Sequence, residues 1–93
     1  MKTIHKFTLA GNAEEDIVMP VGAEVVAIQE QFGLVQAWAI VDPKQQHRLP
    51  VRISIRGTGQ PLGEVGKYVG TFQMDSGAFV FHAFVAYPGT RAA

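Results

Sequence analysis

The chain is predicted to fold as an all-β domain, a small antiparallel sandwich or open barrel of about six or seven strands with at most one short helix or turn. Three observations predict it. Aliphatic, β-branched and aromatic residues come in short runs separated by Gly, Pro, Asn and Asp. Val51, Ile53 and Ile55 alternate with Arg52, Ser54 and Arg56, the period of two that marks a strand with one buried and one wet face. Gly33 and the triplet Asp75-Ser76-Gly77 stand between apolar runs, where hairpins need residues that accept positive φ.

Taken in order, the first strand is expected over residues 3–9, ended by Gly11-Asn12, and a short second one over 16–19, ended by Pro20. Residues 24–32 (EVVAIQEQF) and 34–42 (LVQAWAIVD) are separated by Gly33 alone and should form a hairpin. A helix over 23–31 is the alternative for the first of these, but Val25-Val26 is a β-branched pair and the apolar residues mark no clean helical stripe. Asp42-Pro43 opens a polar loop that closes at Pro50, followed by the strand 51–56. Residues 61–66 read as irregular. Strands over 68–74 and 78–86 complete the domain, and Pro88-Gly89 releases a small polar tail, so the ordered core spans about 3–86 of a single domain, 1–93.

A chain of 93 residues buries only about 60–65% of its unfolded surface. Its hydrophobic fraction of 47% is ordinary, while its charged fraction of 17% falls below the usual value of about 25%. The strands 34–42 and 78–86 are apolar on both faces: Phe79, Phe81, Ala83 and Val85 alternate with Val80, His82, Phe84 and Ala86. One buried Phe contributes about 1.5–3 kcal/mol. Covering the second face with another copy of the chain is therefore the expectation, and with it a homo-oligomer. Trp38, mid-strand among alanines, is expected in the core.

The formal net charge is zero, which argues against general nucleic-acid binding. The charges are unevenly placed. Glu14, Glu15, Asp16, Glu24 and Glu30 form an acidic stretch, whereas Lys44, Arg48, Arg52, Arg56 and Lys67 face only Glu64 in the middle of the chain. The absence of cysteine removes disulfides, thiolate metal sites and cysteine nucleophiles. No apolar run approaches the roughly 18 residues of a membrane span, and Lys2, His5 and Lys6 interrupt any signal-like start, so neither membrane insertion nor export is expected.

One constellation resembles a site. Arg52 and Arg56 share a strand face, about 13 Å apart along the strand, beside the turn Gly57-Thr58-Gly59-Gln60-Pro61, whose N–H groups can face a ligand. That spacing suits two phosphates of a dinucleotide, or a phosphate and a carboxylate, rather than one clamped phosphate. Solvated arginines that guard a strand edge are the competing reading. The turn is neither a dinucleotide fingerprint nor a P-loop. The candidate ligand-binding set is Arg52, Arg56, Thr58 and Gln60, completed by His47 and Arg48 of a neighbouring copy. His5, His47 and His82 lack metal-ligand spacing, and His82 reads as a packed histidine. Ser54 and Ser76 sit in no nucleophile elbow, and Glu14, Glu15 and Asp16 read as a solvated turn rather than a weak Ca²⁺ site, since no EF-hand spacing exists. No cofactor, metal or catalytic set is expected, and so no enzyme.

The segments GAEVVAIQEQFG (22–33), WAIVDP (38–43), IRGTGQPL (55–62), YVGTFQ (68–73) and GAFVFHAF (77–84) resemble a family of small bacteriophage and prophage proteins of uncharacterised function. That family carries no assigned active site, so no residue role comes with the resemblance. It implies a setting in the cytoplasm of an infected bacterium, or in the virion. Together these readings point to a non-catalytic, homo-oligomeric binding module for a small anionic ligand, such as a nucleotide signal of host immunity. A protein–protein inhibitor of a host defence factor and a structural virion component are the alternatives.

Overall fold

The computed structural model describes residues 1–89; of the expected polar tail, 90–93 lie outside the described residues. Seven strands follow one another: β1 (Thr3–Thr8), β2 (Glu14–Pro20), β3 (Glu24–Gln31), β4 (Leu34–Val41), β5 (Arg48–Gly57), β6 (Lys67–Met74) and β7 (Phe79–Ala86). They form two antiparallel sheets, β1-β4-β3 and β2-β5-β7-β6, which are not closed into a barrel. No helix occurs among the described residues, so the alternative of a helix over 23–31 is not realised. That stretch is β3, and a bulge between Val25 and Ala27 absorbs the residue that broke its alternation.

Local chemistry sets the connections. Phe32 and Gly33 both take positive φ, 56° and 81°, the backbone of a two-residue primed turn joining β3 to β4. Asp75, Ser76 and Gly77 take φ of 54°, 54° and 91° and reverse β6 into β7. β5 begins three residues earlier than its alternation suggests and includes Pro50. β7 pairs with β5 only from Arg52 onward, so the missing Pro50 N–H interrupts no bond on that side.

The core lies between the sheets, where Met19, Ile28, Val41, Ile53, Phe72 and Val85 are its largest fully buried side chains. β3 runs against β6, and Gln29 Nε2 donates to Thr71 O at 3.4 Å. Trp38 is not part of this core. The register sets it on the outer face of the three-stranded sheet between Lys6 and Ala27, half-buried, because it alternates with Ala37 and Ala39, which face inward and are fully buried.

β7 is buried on its inner face and partly covered on its outer face within one chain, where Val80, His82 and Ala86 are half-buried. Ala83 and Val85 are buried on the inner face. On the outer face Phe84 is only 9% exposed and meets Tyr68 edge-on, with ring centroids 5.7 Å apart. Its burial needs no second copy. Phe79 at the strand's start is exposed.

Candidate functional site

The outer face of the four-stranded sheet carries the candidate residues. Arg52, Ser54 and Arg56 alternate on it from β5; Asp16 and Glu14 join from β2 and His82 from β7, because the registers set Asp16 against Arg52, Glu14 against Ser54 and Arg56 against His82. Sequence alternation therefore assigned the two arginines correctly to one face, but not their partners.

Arg52 is bound bidentately by Asp16, Nε to Oδ1 at 2.8 Å and Nη2 to Oδ2 at 3.2 Å. The hydrogen bond it donates to Asp16, then the charge of Asp16, hold Arg52 still further in its cationic form. The Arg52 side chain is 46% exposed. Arg56 is only 14% exposed and is a clamp. Its Nε donates to Leu62 O at 2.9 Å, its Nη1 to Ala13 O at 3.2 Å and Ile55 O at 3.1 Å, and its Nη2 to Glu14. One guanidinium thus fastens the 61–66 segment and the β1–β2 link to the sheet. Glu14 also accepts from Ser54 Oγ at 2.5 Å. Burial pushes the Glu14 carboxyl up, but the hydrogen bonds from Ser54 and Arg56, with the charges of Arg56 and Arg52, outweigh it and leave the group below its ordinary value.

The three neighbouring carboxylates do not converge. Glu15 points the other way along β2 and accepts from the Ala10, Gly11 and Asn12 N–H groups at 2.8, 2.8 and 3.0 Å, so each acid of the cluster serves a different partner. No group of three metal-ligating side chains forms among the described residues.

The turn after β5 is occupied by its own chain. Gly57 N donates to Gln60 Oε1 at 2.6 Å, Thr58 N to Val80 O at 3.2 Å and Gln60 N to Gly57 O at 3.1 Å. These N–H groups are not left facing outward for a phosphate, and Gln60 acts as the turn's internal brace. Thr58 does something the sequence reading did not foresee. Its Oγ1 lies 2.7 Å from His82 Nε2, whose Nδ1 lies 2.9 Å from Thr71 Oγ1, which in turn meets the Tyr68 hydroxyl at 2.5 Å. Hydroxyls can donate or accept, so this row is satisfied whichever ring nitrogen bears the proton. It contains no carboxylate to hold an imidazolium, which sets it apart from a catalytic triad. Only the β6–β7 register brings Thr71 beside His82.

His47 and Arg48 stand apart from this face's groove. The His47 carbonyl accepts from Val21 N–H at 2.8 Å, and Arg48 sits opposite Pro20 at the far start of β5. The groove itself, about 960 Å³, is lined by Glu14, Arg52, Ser54, Arg56, Glu64, Lys67 and Tyr87, among others. Lys67 was absent from the sequence-based set because the alternation of β5 says nothing of β6. It lines the groove from the first position of β6, opposite Val85 in the register, and it forms no ion pair among the described residues.

The family described as Domain of unknown function (DUF7352) matches residues 1–92. No curated protein and no solved structure matches the chain.

Proposed function

The chain belongs to the DUF7352 family, and we propose that it is a non-catalytic binding module that receives a small anionic ligand, nucleotide-like in charge and size, in the groove on the outer face of its four-stranded sheet. One observation carries this reading: the exposed guanidinium of Arg52 and Lys67, which has no ion pair among the described residues, line the same groove from two different strands. Arg56, fixed by its clamp, gives that groove a rigid floor. An incoming phosphate would compete with Asp16 for the Arg52 fork, for which planar paired donors are suited. The Tyr68–Thr71–His82–Thr58 row supplies further hydrogen-bonding groups on the same face. A thermal-shift screen against inorganic phosphate and linear and cyclic nucleotides tests the reading. A rise in Tm that disappears in Arg52→Ala and Lys67→Ala supports it; no rise with any of these anions at millimolar concentration refutes it.

A second reading, an inhibitor docking to a host protein, draws on the tip of the β3–β4 hairpin. Phe32 is 91% exposed there and is held in a left-handed backbone conformation that a bulky residue rarely adopts. Capture of one stoichiometric host protein by the wild type, lost in Phe32→Ser, favours this reading over the first.

A further inference from the structure

The two sheets leave four terminal strands, and these behave as two different sides of the sandwich. β3 and β6 run against each other and close one side. β1 and β2 end the sheets elsewhere, and each carries charge of one sign. β1 holds His5 and Lys6, follows Lys2 and has no acid; β2 holds Glu14, Glu15 and Asp16 and no base. β1 is exposed along nearly its whole length and contains neither proline nor a bulge; the one charge that blunts its edge is Lys6, a defence that fails when an acid faces it.

We propose that two copies of the chain join by reciprocal edge pairing about a twofold axis, β1 of each adding antiparallel to β2 of the other. Three strands are then continued by four in both sheets. Pairing β1 with β1 would bring lysines together, and pairing β2 with β2 would bring carboxylates together. Like charges directly opposite are unfavourable, whereas the crossed pairing sets base against acid.

The ladders fix the register. Leu9 N–H bonds to Val35 O, and Ala13 O accepts from Ile55 N–H. Odd-numbered residues therefore bond inward on both strands, and in β1 the main-chain groups of Ile4, Lys6 and Thr8 turn outward. The link from Thr8 to Glu14 is centred on Gly11, and a symmetric reversal about it sets residues equidistant from Gly11 level. A twofold axis along the strands pairs these level residues: Ile4 with Val18, Lys6 with Asp16, Thr8 with Glu14. Ile4 and Val18, 56% and 53% exposed, cover one another. Lys6 joins the Asp16–Arg52 pair, giving up a solvent-exposed contact to Gln31 Oε1. Sliding the register by two residues sets Ile4 on Asp16 in one direction and Lys6 on Val18 in the other. This assembly shares Arg52 and Glu14 with the anion groove, but none of its pairs uses Lys67, so Lys67→Ala separates the two readings: it should abolish anion binding and leave the dimer intact.

Analytical ultracentrifugation and native mass spectrometry test the proposal. The wild type should be a dimer. Lys6→Glu and Asp16→Lys should each be monomeric alone, and an equimolar mixture should restore dimers holding one copy of each, because both crossed ladders are then complementary again. The chain has no cysteine, so the register is read by oxidation. The double variant Ile4→Cys/Val18→Cys should give a covalent dimer, whereas Ile4→Cys alone should not. The cysteine arm uses exposed positions and so remains decisive where Asp16→Lys loosens its own fold. A wild type that stays monomeric at millimolar concentration overturns the proposal. Self-cross-linking of Ile4→Cys alone, or failure of the mixture to dimerise while both variants are folded, does the same.

Discussion

The Arg56 guanidinium and the Glu14 carboxylate meet across β5 and β2, and this contact is one arm of a clamp that also holds the carbonyls of Leu62, Ala13 and Ile55. Arg52, four residues earlier on the same face, has a single carboxylate partner and far more exposure. Two arginines that look equivalent in sequence therefore have different work. One orders two connecting segments, and the other is available to exchange its partner.

Stability should separate them. Arg56→Ala removes a hydrogen-bonding group that satisfies several carbonyls, and should cost about 1–3 kcal/mol. Arg56→Lys should recover little of it, because a point ammonium lacks the planar fork. Arg52→Ala breaks an exposed, solvent-screened pair and should cost less than Arg56→Ala. Urea denaturation midpoints of the three variants check the order.

Acid should act through Glu14. Its carboxyl sits below the ordinary value of 4.5 in the folded chain, so the folded state favours the charged form. That contribution is fully present above the unfolded-state value and is lost as pH falls through the folded one. Between neutral pH and about 4.5 the wild type and Glu14→Gln should show parallel stability curves; below that the wild type should decline more steeply. Denaturation midpoints measured from pH 7 to pH 3 provide the comparison.

Gly66 is required by space. A Cβ there would lie 2.2 Å from Val85 O, against backbone that has nowhere to go. A Cβ on Gly70, four residues later and inside β6, would meet nothing within 4 Å. Gly66→Ala should therefore lose more than about 3 kcal/mol or fail to fold, while Gly70→Ala should change stability by less than about 1 kcal/mol. Thermal melts of the pair decide it.

The Tyr87 hydroxyl accepts from Val25 N–H at 2.9 Å and so ties the end of β7 to the start of β3, across the two sheets. Tyr87→Phe should cost about 0.5–1.5 kcal/mol, and amide exchange at Val25 should accelerate by more than exchange at Ile28 in the middle of the same strand.

Much of the fold could be read from the chain because each strand announces itself locally. The alternation of 51–56 and the turn residues at 32–33 and 75–77 need only neighbours to interpret. What misled were features whose meaning depends on a partner strand. Trp38 looks like core until the register shows that Ala37 and Ala39 own the inward positions. Pro50 reads as the end of a loop until the short reach of β7 leaves its side of β5 unpaired. Phe84 reads as a demand for a second copy until Tyr68 is seen against it. The site follows the same rule. Arg52 and Arg56 on one face were legible, whereas the acids that meet them lie 36 and 42 residues away in sequence. The Thr58–His82 contact and the arrival of Lys67 come from strand order in the sheet, which no local pattern encodes.

The claim that most needs testing is that the groove holding Arg52 and Lys67 takes up an anion. Titration of isotopically labelled protein with ATP and with pyrophosphate, followed by amide and arginine side-chain NMR, addresses it residue by residue. The account predicts saturable shifts concentrated at Arg52, Lys67 and Tyr87, absent at the hairpin tip around Phe32 and abolished by Arg52→Ala. Saturable shifts confined to the hairpin tip, or none at either place, would contradict it.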